Sequence, residues 1–122
     1  TEMQKLAALN EQTGQPAHHV HPDRRAVIVT GVRTPFTRGF GEQLNVDTIG
    51  LGTVAVKGLI EKTKIDPKAI DHIACGGVIL QNGAPNTARE IIISGKLPPT
   101  ISAHTESMAC ASGLKSVLSA VQ

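Results

Sequence analysis

Four consecutive apolar residues, Ala26 to Val29, run up to a break at Gly31. A short unbroken run of this kind predicts a strand buried on both faces. Breakers then crowd the stretch from Arg33-Thr34-Pro35-Phe36 through Gly39 and Gly41, which predicts a loop. Asp47 offers an N-cap, and Ile49, Leu51, Val54, Ala55, Leu59 and Ile60 recur at helical spacing up to Lys62. Ile65-Asp66-Pro67 places a capping carboxylate before a proline at the first helical position, the signature of one short turn. After Asp71, Ile73-Ala74-Cys75 predicts a second strand, with Gly76-Gly77-Val78 as the loop beyond it. Pro85 and Asn86 introduce a helix through Ala88, Arg89, Ile91 and Ile92 that stops at Gly95, with Pro98 and Pro99 following. Ile101 to Met108 is a third extended segment. From Cys110 onward, Leu114, Val117, Leu118 and Val121 fall at i, i+3, i+4 and i+7 and form one apolar helical stripe. Strands alternating with helices predict the α/β class, with helices around a buried, mostly parallel sheet.

The chain has 122 residues, one domain as a prior and long enough to enclose one core. Hydrophobic residues make up 40% and charged residues 18%, a balance that predicts a globular fold, and no apolar run approaches a membrane span. The net charge of +2 is scattered, without the basic stripe of a nucleic-acid binder, and Phe36 and Phe40 are the only aromatic side chains of the Phe, Tyr and Trp group, too few for a base-stacking platform. The core is therefore expected to be aliphatic. Residues 1–23 carry a net charge of −2, leaving +4 for the rest, and are expected to form a flexible arm ahead of an ordered part over residues 24–122. A leading Thr in place of Met suggests that something was removed, although neither a transit peptide nor a secretory signal is visible. His18, His19 and His21 lie in that arm; with no acidic or thiol partner they read more simply as a solvated segment than as metal ligands, and no metal site is expected.

The pattern Gly50-Leu51-Gly52-Thr53-Val54-Ala55 has the form of a dinucleotide-binding fingerprint, but it sits inside a helix already capped at Asp47. Fingerprint glycines must follow a buried strand directly, so these glycines are expected to mark close approach of a neighbouring element. Two cysteines, 35 positions apart, have no metal-site spacing and are too sparse for a disulfide scaffold, which makes a reducing compartment the default. Cys75, inside a strand, reads as a small core hydrophobe. Cys110 stands where an extended segment turns into a helix, among Ala109, Ala111, Ser112 and Gly113. Free N–H groups and the dipole at a helix N-terminus stabilise a thiolate and could also serve an oxyanion, so Cys110 is a candidate nucleophile, with a core thiol as the competing reading. A base is not evident. An extended path of six residues would separate His104 from Cys110 by about 20 Å, and His72 opens another strand whose position the sequence does not give.

Taken in order, Arg25 to Gly31 with Arg33-Thr34-Pro35-Phe36, then Asn86-Thr87-Ala88-Arg89, then Met108-Ala109-Cys110-Ala111-Ser112-Gly113-Leu114 resemble the opening third of a thiolase, over about residues 24–122. Ser102-Ala103-His104-Thr105 ahead of Met-Ala-Cys is similar to the β subunits of mitochondrial trifunctional enzymes. The resemblance implies the N-terminal portion of a layered thiolase fold, incomplete on its own. By the same resemblance, Cys110 would be the acyl-accepting nucleophile of a 3-ketoacyl-CoA thiolase, with coenzyme A thioesters as substrates and no covalently held cofactor. It also implies a role in fatty acid β-oxidation, an oligomer and the mitochondrial matrix. The family's second acid/base cysteine, its Gly-His-Pro histidine and its Asn-bearing oxyanion site have no counterpart in these 122 residues, so the chain alone is expected to be inactive. Ser107 stands three before the cysteine, where many thiolases carry Asn. Two other readings compete: a truncated, non-catalytic structural subunit of a larger assembly, and a fragment of a ketoacyl-synthase-like condensing enzyme. In the thiolase layout the helix after Cys110 is buried between sheets. Leu114, Val117, Leu118 and Val121 are therefore expected to need cover from a protein partner or from more of the same chain.

Overall fold

The computed structural model of the chain describes residues 26–121, together with Ala8. Apart from Ala8, the expected arm over residues 1–23, with its three histidines, lies outside the described residues.

The Asp47 carboxylate accepts the Gly50 N–H at 2.7 Å and opens α1 (Thr48–Thr63). The helix closes at Lys64, whose left-handed backbone (φ 57°) returns its N–H to the Ile60 carbonyl. Asp66 caps a single 3-10 turn (Pro67–Ala69) by accepting the Lys68 N–H, and β1 (His72–Gly76) follows. Asn86 starts α2 (Thr87–Gly95) by accepting the Arg89 N–H at 3.1 Å. Gly95 is the last residue of that helix, and the left-handed turn falls on Lys96 (φ 54°). Smallness is what Gly95 supplies, because a Cβ there would press on the Leu97 side chain. The chain then enters β2 (Ser102–Glu106) and finishes in α3 (Ser112–Val121).

β1 and β2 pair in parallel, with His72 opposite Ser102 and Gly76 opposite Glu106. Successive side chains on a strand point to opposite faces. On one face Thr105 accepts the Ala88 N–H and donates to the Asn86 side chain, seating α2, against which α1 packs. On the other face Glu106 accepts the Ser119 hydroxyl from α3. The α/β class is thus realised as helices on both sides of a parallel pair, and the core is aliphatic: Ala84, Ala88, Ile91, Ile92 and Ile101. Gly52 acts as the helical pattern predicts, since a Cβ there would lie 3.0 Å from Ile91 Cγ1, where α2 crosses α1. None of the described helices is long and apolar enough to cross a membrane.

The strand expected at Ala26–Val29 does not form. The segment joins no ladder, and Ile28 is 87% exposed. A strand is stable only when a neighbour takes up its N–H and C=O groups. Here the chain passes near β1, tethered by the Lys62 ammonium donating to the Gly31 carbonyl at 3.0 Å, but stays short of pairing. An apolar cleft of about 480 Å³ remains between Ile28 and Val29 on one side and Leu59, Ile60 and Ile73 on the other.

Candidate active site

Between β2 and α3 the chain reverses in five residues, and Cys110 sits exposed in that turn. Ala109 makes the reversal possible by adopting φ 44°, a left-handed conformation that disfavours a side chain with a Cβ by about 1–2 kcal/mol. Hydrogen bonds hold it there. The Met108 N–H donates to the Ser112 hydroxyl at 2.8 Å, the Ala111 N–H to the Met108 carbonyl at 3.0 Å, and the Ser112 N–H to the Ala109 carbonyl at 3.1 Å. Ser112 itself is 2% exposed. Its hydroxyl donates to the Ala109 carbonyl at 2.6 Å and also approaches the Gly77 carbonyl at 3.3 Å, so the turn leans on the end of β1.

One detail differs from the sequence expectation. The helix opens at Ser112, two residues after Cys110, because the left-handed Ala109 uses those residues to complete the turn. The Lys115 N–H bonds the Ala111 carbonyl, which makes Ala111 the capping residue. Among the described residues the N–H groups of Gly113 and Leu114 have no hydrogen-bond partner, so the first turn of α3 keeps open donors close in sequence to the thiol. Gly76 explains the close seating: a Cβ on it would overlap the Ser112 carbonyl, so only glycine lets β1 end against the start of α3.

Cys75 differs in every respect. It lies half-buried in β1, beside Leu51, Gly52, Ala55, Thr87 and Ile91, and burial pushes its thiol pKa up.

The two histidines come together in a way the sequence reading did not reach. Parallel register puts His72 and His104 on the same face of adjacent strands, where the rings stack with centroids 4.8 Å apart and His72 Nε2 lies 2.7 Å from His104 Nδ1. His72 Nδ1 is 2.6 Å from the Ser102 hydroxyl, and His104 Nε2 is 3.4 Å from Glu106, which also accepts from Ser119. Both nitrogens of each ring are engaged in this row, and neither bonds Cys110. The signal was present in the alternation of His72 with Ala74 and of Ser102 with His104 and Glu106, but using it required knowing that these two strands are neighbours.

An α/β sheet with helices on both faces presents an exposed cysteine at a strand-to-helix turn, and comparison with known proteins gives the family. Residues 26–122 match the family model for the N-terminal domain of thiolase. A 3-ketoacyl-CoA thiolase of Aliivibrio fischeri is 36% identical over 115 residues, covering 94% of this chain and 26% of the relative. One from Aeromonas salmonicida is 37% identical over 93 residues, covering 76% and 21%. The crystal structure of the Bacillus anthracis acetyl-CoA acetyltransferase shares the fold, with a TM-score of 0.62 and 24% identity over 65% of this chain and 20% of that one. An acetyl-CoA acetyltransferase from Syntrophomonas wolfei superposes with a TM-score of 0.66 and 31% identity over 74% of this chain and 23% of that one. The chain belongs to the thiolase family and corresponds to its N-terminal domain. It spans about a quarter of the length of the curated relatives it matches.

Proposed function

We propose that this chain is the nucleophile-bearing part of a 3-ketoacyl-CoA thiolase and that Cys110 is the residue that accepts the acyl group. The observation that carries the reading is the presentation of Cys110: an exposed thiol on a tight turn with a left-handed Ala109, followed by unpartnered amides, in a chain of this family. In the degradative direction, the Cys110 thiolate attacks the ketone carbon of a 3-ketoacyl-CoA. The bond between the α and β carbons then breaks, leaving an acyl-cysteine and the enolate of acetyl-CoA, which takes up a proton. Free coenzyme A next attacks the acyl-cysteine through its own thiolate and releases a shortened acyl-CoA. This second step exchanges one thioester for another and is nearly isoenergetic, which suits a sulfur nucleophile. The proton transfers call on groups beyond the described residues, because neither histidine of the sheet bonds Cys110: they engage each other, Ser102 and Glu106.

The same reading supplies the cover for α3. Leu114 is 69% exposed, and Val117, Leu118 and Val121 lie open beside it. In a whole thiolase this stripe would be buried by more of the same polypeptide or by a second subunit. The likeness of residues 102–110 to trifunctional-enzyme β subunits is what supports a role in β-oxidation within the mitochondrial matrix; the relatives compared above are bacterial, so subcellular fractionation is the test of the location. The activity is tested in the whole protein by Cys110→Ser, which is expected to abolish cleavage of 3-ketoacyl-CoA. Retention of more than a few per cent of the parent rate would overturn the assignment.

A further inference from the structure

We infer that Ser112 is the positioning residue for Cys110, acting through the turn and without touching substrate; the inference rests on Cys110 being the acyl acceptor. Its hydroxyl is the only side-chain group among the described residues that hydrogen-bonds within the Cys110 turn, and it makes two such bonds, on either side of the Ala109 backbone. It accepts the Met108 N–H ahead of the left-handed Ala109 and donates to the carbonyl of Ala109 itself. A serine hydroxyl has one proton. At 2.6 Å the Ala109 carbonyl takes that proton in preference to the Gly77 carbonyl at 3.3 Å, so the hydroxyl's donor bond stays within the turn.

The geometry makes this more than local packing. Ala109 holds a conformation that a residue with a Cβ disfavours, and it stays there only while its surroundings over-determine it. Removing the Ser112 hydroxyl leaves the Met108 N–H and one acceptor site of the Ala109 carbonyl unpaired, which releases Ala109 toward an ordinary backbone. Cys110, the next residue, would then lose its fixed place in the turn just ahead of the open amides of Gly113 and Leu114. Burial reinforces the constraint, since Ser112 is enclosed and its backbone abuts Gly76 with no room for a Cβ between them. Sequence reading gave Ser112 no role; it counted only as a small residue near the thiol.

The test is competitive alkylation of the full protein near neutral pH, read by peptide mass spectrometry as the labelling rate of Cys110 over that of Cys75, together with hydrogen exchange at the Met108 amide. Ser112→Ala is expected to lower the rate ratio by about two- to fivefold, the scale of a helix-terminus contribution, through a slower Cys110 with the Cys75 rate itself unchanged, and to speed Met108 exchange. Ser112→Thr, which keeps the hydroxyl, is expected to restore both. An unchanged ratio in Ser112→Ala, with Met108 exchange raised, would show that the hydroxyl only stabilises the fold and would overturn the proposal. So would a Met108 amide that exchanges freely in the parent, which needs no variant. A parent in which Cys110 labels no faster than Cys75 is a different result: it sinks the nucleophile reading and is seen before any substitution is made.

Discussion

Two halves of the described chain treat the same kind of residue in opposite ways. Around α2 and the start of β2, aliphatic side chains are enclosed: Ile92 and Ile101 are each 1% exposed, and Asn86, Arg89 and Thr105 stitch helix to strand with side-chain hydrogen bonds. In the extended segment over residues 26–30 and along α3, equally apolar side chains face outward. The difference is one of partners and not of composition. α2 finds both α1 and the sheet within the chain, whereas the exposed stripe of α3 and the unpaired segment find no second surface among the described residues. The site lies near that boundary, with the buried Ser112 seated against Gly76 at the end of β1 and Cys110 exposed in the turn ahead of it.

Truncating the enclosed half should have the largest effect. Ile92→Ala is expected to destabilise by about 2–5 kcal/mol, from lost transfer energy plus a cavity, read from urea denaturation of the full protein. A loss well below 1 kcal/mol would mean that this half is not the stable core. Overfilling the same contact comes next: Gly52→Leu would drive a side chain into Ile91, with an expected loss of about 1–3 kcal/mol in the same assay. Asn86→Ala removes the α2 cap and the bond to the Ala103 carbonyl, for about 1–2 kcal/mol. On the open side, Leu114→Ala in the isolated chain should stay within about 0.5 kcal/mol. The same substitution in a whole thiolase, where the proposed cover would be in place, should cost as much as a core truncation, and equal small effects in both settings would erase the contrast.

Cys75 adds a pH signature on the enclosed side. Its thiol pKa is raised by burial, so the folded chain holds this proton more tightly than the unfolded one. That contribution to stability is complete below the ordinary thiol range and is lost as pH climbs through the raised folded value. Cys75→Ala should flatten this alkaline loss in denaturation curves measured at a series of pH values.

Helices were legible where local chemistry decides them. Asp47 caps as read, Asn86 introduces α2 as read and proves to be its cap, and the glycine at position 52 sits under Ile91. The failure at Ala26–Val29 has a plain cause: an apolar run states that a strand wants cover and pairing, but whether a neighbour exists is not written in those four residues. The exact start of α3 was missed because nothing about an alanine announces a left-handed backbone at Ala109. Its small neighbours and the family likeness single out Cys110 as the candidate, and the structure places it exposed in the turn before α3. The His72 and His104 pair was not legible, since it depends on a strand register that only the folded sheet defines.

The central claim is that Cys110, and not Cys75, takes the acyl group. The most direct test incubates the whole protein with a 3-ketoacyl-CoA, quenches in acid to preserve thioesters, and maps acyl adducts by peptide mass. The account predicts an acyl mass on the peptide containing Cys110, removed by added coenzyme A, with Cys75 unmodified. An adduct on Cys75 alone, or none on Cys110 while the substrate is being cleaved, would contradict it.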